Sequence, residues 1–253
     1  MVNRILVGAV GAAMLSPLAQ GQTLFHADFE GMTLGAPPPQ LANQTHPAWI
    51  DLNLTATVED SSTVTAPTLL TGQFCRLDGD AGEAPDMGFD RGVSWSSGLV
   101  EMSVDVLFES LGQYHIYLRE GSAVGGAAER VFDLVTATDG SGAIETLAHG
   151  SGDSIFTPFS YAAGELINYR AVFDLDADTV DIWANGAQLA DDVEILDDAS
   201  IGLFIIGFEF AGFTGDGPIG VMQYDNLVVR RVPTPGTLAL FAASALVLGR
   251  RRR

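Results

Sequence analysis

The sequence predicts an all-β protein, an antiparallel sandwich of two sheets, and three observations favour this fold class. Apolar and polar side chains alternate with a period of two along several segments. Glycine accounts for 29 of the 253 residues, which suits many closely spaced turns. The central chain shows no convincing stretch with the 3.6-residue period of an amphipathic helix. Strands at this spacing in a domain of about 200 residues are typical of a two-sheet sandwich.

The clearest strand runs from Gly98 to Phe108. Its apolar face holds Val100, Met102, Val104, Val106 and Phe108, and Glu101, Ser103 and Asp105 lie on the other face. Residues 166–173 and 179–184 predict a hairpin, and Asn185-Gly186 predicts the tight turn that follows it. Ten to twelve strands are expected, the others being residues 23–29, 52–58, 73–77, 114–118, 131–136, 144–147, 200–210 and 219–229.

The N-terminal 21 residues predict a secretory signal peptide. Arg4 precedes the apolar run Ile5–Leu15, and Ala19 and Gly21 supply small residues before a cleavage site. The mature chain is therefore expected to begin near Gln22, outside the cytoplasm, with a single domain over residues 22–231.

The C-terminal residues 232–253 form a turn motif, an apolar segment and an arginine cluster. The motif is Val232-Pro233-Thr234-Pro235-Gly236, and the cluster is Arg250, Arg251, Arg252 and Arg253. This arrangement resembles the PEP-CTERM sorting tail of bacterial surface proteins, although Thr234 stands where that family has glutamate. The 13 uncharged residues between them would form a helix of about 20 Å, short of the roughly 30 Å hydrocarbon core. The resemblance implies transient membrane anchoring, recognition by an exosortase-type membrane transpeptidase and delivery to the cell surface or extracellular matrix.

Four motifs of the central chain, taken in order, carry a second resemblance. They are Asp28-Phe29-Glu30-Gly31, residues 74–79, residues 169–186 and residues 224–229. Together they are similar to a concanavalin A-like (laminin G-like) jelly roll. The resemblance implies a fold that includes both glucanases and binding modules.

The charge distribution excludes some partners. All 32 acidic residues lie between Asp28 and Asp225, and that part of the chain has seven arginines and no lysine, which leaves it at −25. Such a surface repels nucleic acid and anionic lipid. Cys75 is the only cysteine, so an intramolecular disulfide is excluded, and its apolar neighbours predict a buried side chain on a strand.

No catalytic residue emerges from the sequence. Glycoside hydrolysis needs two carboxylates across the sugar, but Glu101 and Asp105 share a face with Ser103 between them and no third carboxylate follows. The segment Gly92–Ser96 lacks the final glycine of a nucleophile elbow. The four histidines show no zinc-protease spacing.

Two acidic loops are candidates for calcium, which prefers six to eight oxygen ligands. One is glycine-rich and contains Asp78, Asp80, Glu83 and Asp86. The other, Asp174–Asp178, spaces its carboxylates by two but favours a hairpin turn, because aspartate suits turn positions.

Sugar binding needs aromatic platforms beside polar groups. His115 and Tyr117 alternate with apolar neighbours and are expected to line the outer or concave face, and Trp183 likewise alternates with Val180 and Ile182. Trp49 and Trp95 are further aromatic candidates. Two functions remain open: a carbohydrate-binding or adhesive surface module with an extracellular polysaccharide partner, and a structural envelope or matrix protein without a small ligand. A glycan-active enzyme is a distant third.

Overall fold

The protein is an all-β sandwich of two antiparallel sheets, which confirms the predicted fold class. The structure is a computed structural model that describes residues 22–38, 44–51, 54–79, 86–120, 130–148, 151–208 and 220–233. Its strands are β1 (Thr23–Ala27), β2 (Trp49–Ile50), β3 (Leu54–Asp60), β4 (Gln73–Gly79), β5 (Asp86–Trp95), β6 (Leu99–Phe108), β7 (Tyr114–Arg119), β8 (Arg130–Thr136), β9 (Ser141–Leu147), β10 (Ser154–Ser160), β11 (Leu166–Asp174), β12 (Thr179–Ala184), β13 (Ala187–Glu194), β14 (Ile201–Phe208) and β15 (Gly220–Arg231).

The strands form two sheets, A and B. Sheet A has the order β13-β12-β11-β6-β15-β4-β3, and β1 also pairs with β15. One side of the long strand β15 is shared, because β4 pairs with residues 220–224 and β1 with residues 227–230. Sheet B has the order β10-β9-β8-β7-β14-β5-β2. Every strand pair in both sheets is antiparallel.

The core lies between the sheets and is rich in aromatic side chains. The apolar face predicted for β6 is buried there, since Val100, Val104 and Phe108 are fully buried. The largest buried side chains are Phe25, Phe29, Phe74, Phe89, Phe108, Phe132, Phe173, Phe204, Phe208, Tyr114, Tyr169 and Tyr224. Apolar burial on this scale is the main favourable term in folding.

The hairpins of sheet A follow the turn chemistry of their sequences. Between β11 and β12, Asp174 Oδ1 accepts hydrogen bonds from the backbone N–H groups of Asp176 and Ala177, both at 3.1 Å. Between β12 and β13, Asn185 and Gly186 have φ angles of 50° and 77°, as a type I′ turn requires. Both predicted turns are therefore confirmed.

The predicted number of strands was too low. The unexpected strands are β2, β5, β10 and β13. Glycine and charge interrupt the pattern of β5, Pro158 lies in β10, and β13 is acidic. Pairing to a neighbour overrides weak intrinsic propensity: β10 and β13 are edge strands, where proline and exposed charge are tolerated.

Residues Gln22–Val232 form one compact unit. Its two ends meet, because the Arg231 N–H donates to the Gln22 carbonyl at 2.8 Å. Among the residues that the structure describes, no helix is long and apolar enough to cross a membrane. The predicted signal peptide, and the tail from Thr234 onward, lie outside the described residues.

Candidate binding faces

The outer surface of sheet A carries an aromatic ring beside an ion-pair network; we call it the Trp183 face. Trp183 on β12 and Arg170 on β11 are directly opposite each other. The Arg170 guanidinium carbon lies 4.5 Å from the centre of the Trp183 ring. The remaining members of the face are Glu101, Asp105, Asn168, Asn226 and Arg230. These side chains point outward because their strand neighbours fill the core.

Glu101 is bound by two arginines. Arg170 Nε donates to Glu101 Oε2 at 2.9 Å, and Arg230 Nε donates to Oε1 at 2.9 Å. Burial alone would raise the pKa of the Glu101 carboxyl, but the hydrogen bonds and charges of Arg170 and Arg230 lower that pKa below its ordinary value. The network fixes Arg170, and Arg170 in turn supports the Trp183 ring.

A second carboxylate on the same face is held by amides. Asp105 Oδ1 accepts a hydrogen bond from Asn168 Nδ2 at 2.6 Å, and Oδ2 accepts one from Asn226 Nδ2 at 2.9 Å. Glu101 and Asp105 do share a face, as predicted, but their oxygens are engaged with arginine and asparagine. The arrangement orders the surface and presents planar polar groups to solvent.

His115 and Tyr117 lie together on the outer surface of sheet B, not beside Trp183. Their ring centres are 4.7 Å apart at an interplanar angle of 90°. Asp86 joins them, with 2.5 Å between Oδ1 and His115 Nε2, and its Oδ2 accepts the Tyr117 hydroxyl at 3.3 Å. Both rings are buried, with 5% and 4% exposure. Burial, then the Asp86 charge, raise the pKa of the Tyr117 hydroxyl.

A small apolar cluster adjoins Tyr117 on sheet B. It consists of Tyr117, Leu203 and Ile205, with Trp49 packed against them. Trp49 lies flat on the backbone of Gly88, where a Cβ would be only 1.9 Å from the indole. Glycine is thus required there by close approach. Trp95, by contrast, is 6% exposed and has the Arg231 guanidinium 5.2 Å from its ring centre.

The calcium candidates are only partly described. Asp78 lies in sheet A and pairs with Arg76 at 3.3 Å, whereas Asp86 lies in sheet B with His115. Asp80 and Glu83 lie outside the described residues. In the part of the chain that the structure covers, no group of three or more metal-ligating side chains is arranged to hold an ion.

Cys75 is fully buried on β4, which confirms the sequence prediction. Burial raises the pKa of its thiol, so the thiolate that nucleophilic chemistry needs is disfavoured.

Two functional features were missed from the sequence. Arg119 could have been found by extending the alternation of His115 and Tyr117 by one step. Its neighbour Arg130 could not, because a register shift in the β7–β8 pairing brings it opposite Arg119.

Asp225 is 4% exposed and directly opposite Asp105. Burial raises the pKa of Asp225 to about 7, although the hydrogen bond from the Asn226 N–H lowers it, and the charges of Asp105, Asp28 and Glu30 each add a smaller upward effect.

Comparison with known proteins identifies the fold. No family model matches the chain, and no curated protein matches it. Among solved structures it is similar to a sialidase, with 16% identity, a TM-score of 0.51 and coverage of 84% of this chain and 19% of the sialidase. It is also similar to the binding domain of Paraclostridial Mosquitocidal Protein 1, with 11% identity, a TM-score of 0.51 and coverage of 88% and 52%.

A third similar structure is that of botulinum neurotoxin type C, whose cell entry depends on interaction with two ganglioside molecules. The identity is 10%, the TM-score 0.51 and the coverage 87% of this chain and 51% of that chain. This chain therefore spans between about a fifth and a half of the length of these three proteins. At such identities the likeness shows a shared sandwich fold alone.

Proposed function

We propose that the protein is an exported, non-catalytic carbohydrate-binding module whose sugar site is the Trp183 face. The observation that carries the proposal is the Trp183 ring, which Arg170 supports and the Glu101 network holds in place. An indole offers an apolar surface to the C–H face of a sugar ring, and neighbouring planar polar groups can bond its hydroxyls.

The geometry of the face suits an extended ligand. Trp183, Arg170, Glu101 and Arg230 lie on four successive strands, β12, β11, β6 and β15. With neighbouring strands about 4.8 Å apart, this row is about 14 Å long, enough for more than one sugar ring. Because Glu101 already orders both arginines, binding would cost little side-chain entropy.

Export and delivery follow from the two ends of the sequence. The charged and apolar N-terminus supports secretion, and the tail from Val232 to Arg253 supports recognition by an exosortase-type enzyme. The same sandwich fold occurs in the neurotoxin whose entry depends on gangliosides, which is compatible with an extracellular polysaccharide partner. A chain truncated before Thr237 is expected in the medium, and retention of that chain in the membrane fraction would refute the anchoring role.

The sugar site is tested with a glycan array and affinity electrophoresis on polysaccharide gels. Trp183→Ala should weaken binding at least about tenfold, because aromatic contacts and their buried area contribute about 1.5 kcal/mol or more. Phe156→Ala is the matched control, since Phe156 is a 60% exposed aromatic residue on sheet B and should bind as the wild type does. Equal binding by both variants would place the site elsewhere. Absence of any glycan binding would favour a structural envelope or matrix protein.

A further inference from the structure

Two arginines face each other on the outer surface of sheet B. Arg119 ends β7, Arg130 begins β8, and they are directly opposite in the strand pairing. Both lie over one ring: their guanidinium carbons are 4.7 and 5.5 Å from the centre of Tyr117. Like charges directly opposite on a sheet destabilise it unless an anion lies nearby. This arginine pair is notable in a domain with only seven arginines against 32 carboxylates.

The two arginines are unequally compensated. Arg130 forms an ion pair with Asp133, whose side chain is fully buried. Arg119 forms no salt bridge with any residue that the structure describes, and its Nε is buried without a hydrogen-bond acceptor. A buried donor left without an acceptor destabilises the fold, because it has lost its hydrogen bonds to water. Among the described residues, the pair therefore has one positive charge without a carboxylate partner, that of Arg119.

The Tyr117 ring gives this pair a rigid base. Its hydroxyl donates to Asp86 at 3.3 Å, and Asp86 also contacts His115. The Leu203 and Ile205 side chains pack beside the ring. The guanidinium groups thus rest on a ring held from several sides, while the Arg130 side chain remains 40% exposed. An incoming anion could reach the arginines without displacing the ring.

On sheet A, a carboxylate of the protein itself lies between two arginines. Glu101 lies between Arg170 and Arg230 and accepts hydrogen bonds from both. The guanidinium fork matches a carboxylate in geometry, which makes such pairs strong and specific. On sheet B, no described carboxylate forms salt bridges with both Arg119 and Arg130, because Asp133 pairs with Arg130 alone.

We propose that Arg119 and Arg130 form a binding site for the single carboxylate of an acidic sugar, separate from the Trp183 face. The single positive charge of Arg119, which has no described carboxylate partner, matches the single negative charge of a carboxylate. A phosphate monoester carries about −1.5 to −2 at neutral pH and would face the nearby Asp133 and Asp86. A polyanionic chain would be repelled by a protein of net charge −20. The carboxylate assignment stands on the arginines, and the sugar assignment rests on the proposed function.

The site is tested by titrating the full chain with four ligands and measuring binding by calorimetry or NMR. The ligands are methyl glucuronide, its uncharged methyl ester, acetate and glucose 6-phosphate. The wild type should bind the glucuronide at least about tenfold more tightly than the ester, a difference of about 1.4 kcal/mol. Arg119→Gln should abolish that preference, and Arg119→Lys should keep only part of it, because lysine lacks the planar fork. Phe156→Ala, which changes an exposed ring on β10 of the same sheet, should leave it unchanged.

The proposal is overturned if acid and ester bind equally to the wild type, if neither binds, or if Arg119→Gln keeps the preference while its melting temperature matches the wild type. Acetate binding as tightly as the glucuronide would overturn the sugar assignment. Tighter binding of glucose 6-phosphate would overturn the carboxylate assignment. Neutral glycans that bind at Trp183 separate failure of this site from failure of the proposed function, because Arg119 takes no part in that face.

Discussion

The two outer surfaces of the sandwich each carry a pair of arginines and an aromatic ring, but among the described residues only one pair shares a carboxylate partner. On sheet A, Glu101 binds Arg170 and Arg230, and Arg170 stacks on Trp183. On sheet B, Arg119 and Arg130 both lie over Tyr117, and only Arg130 has a described carboxylate partner. The first pair is complete within the chain, and the second is suited to an external anion.

The difference shows how an acidic protein uses scarce cations. The central chain has more than four carboxylates for each arginine. An arginine without a carboxylate partner is therefore unexpected in this protein. An ion pair such as that of Glu101 orders a surface, whereas a buried donor without an acceptor, such as Arg119 Nε, costs stability. Arg231 also has a buried Nε without an acceptor, but it lies over Trp95 and not opposite a second arginine.

Asp225 lies on sheet A opposite Asp105, and it is a buried carboxyl group near other carboxylates. Of the substitutions considered, Asp225→Asn should have the largest effect on stability. Its pKa of about 7 in the folded state lies well above the ordinary value for aspartate, about 3.9. A raised pKa stabilises the fold below pH 4, and this contribution is lost as pH rises to 7. Asp225→Asn should remove that loss and so stabilise the protein at pH 8 by up to about 4 kcal/mol relative to the wild type.

Urea unfolding at pH 4 and pH 8 measures this effect. Asp176→Asn is the matched control, since Asp176 is exposed in the β11–β12 turn and should change the free energy of unfolding equally at both pH values. The free energy of unfolding of the wild type should fall relative to that of Asp225→Asn when the pH is raised from 4 to 8. The same difference at both pH values would contradict the raised pKa.

The sequence predicted the sheets better than it predicted the faces. Period-two alternation and the Asn185-Gly186 turn depend on local chemistry, so β6, the β11–β12 hairpin and the turn after β12 could be predicted directly. The meeting of Arg119 with Arg130 depends on a register shift, and the burial of Asp225 depends on β15 pairing with β6. The separation of Trp183 from His115 depends on which sheet each strand joins, which alternation does not encode.

Removing the central carboxylate of sheet A should have the second largest effect. Glu101→Gln leaves Arg170 and Arg230 without their shared anion, and it should lower the free energy of unfolding at pH 7 by about 2 kcal/mol, less than for a fully buried pair because both arginines are about half exposed. The lowered pKa of Glu101 stabilises the fold above its ordinary pKa, and this contribution is lost as pH falls through the folded value. The variant should therefore lose less stability than the wild type on acidification, and an equal loss in both would count against the ion-pair network.

The matching change on sheet B should have the smallest effect. Arg119→Gln removes a charge that opposes Arg130 and a buried donor without an acceptor, so it should alter the free energy of unfolding by less than about 0.5 kcal/mol, or raise it. Chemical unfolding of this variant beside Glu101→Gln, in the same buffer without added sugar, makes the comparison direct. A loss as large as that of Glu101→Gln would mean that Arg119 is already neutralised within the protein, and the contrast between the two arginine pairs would no longer hold.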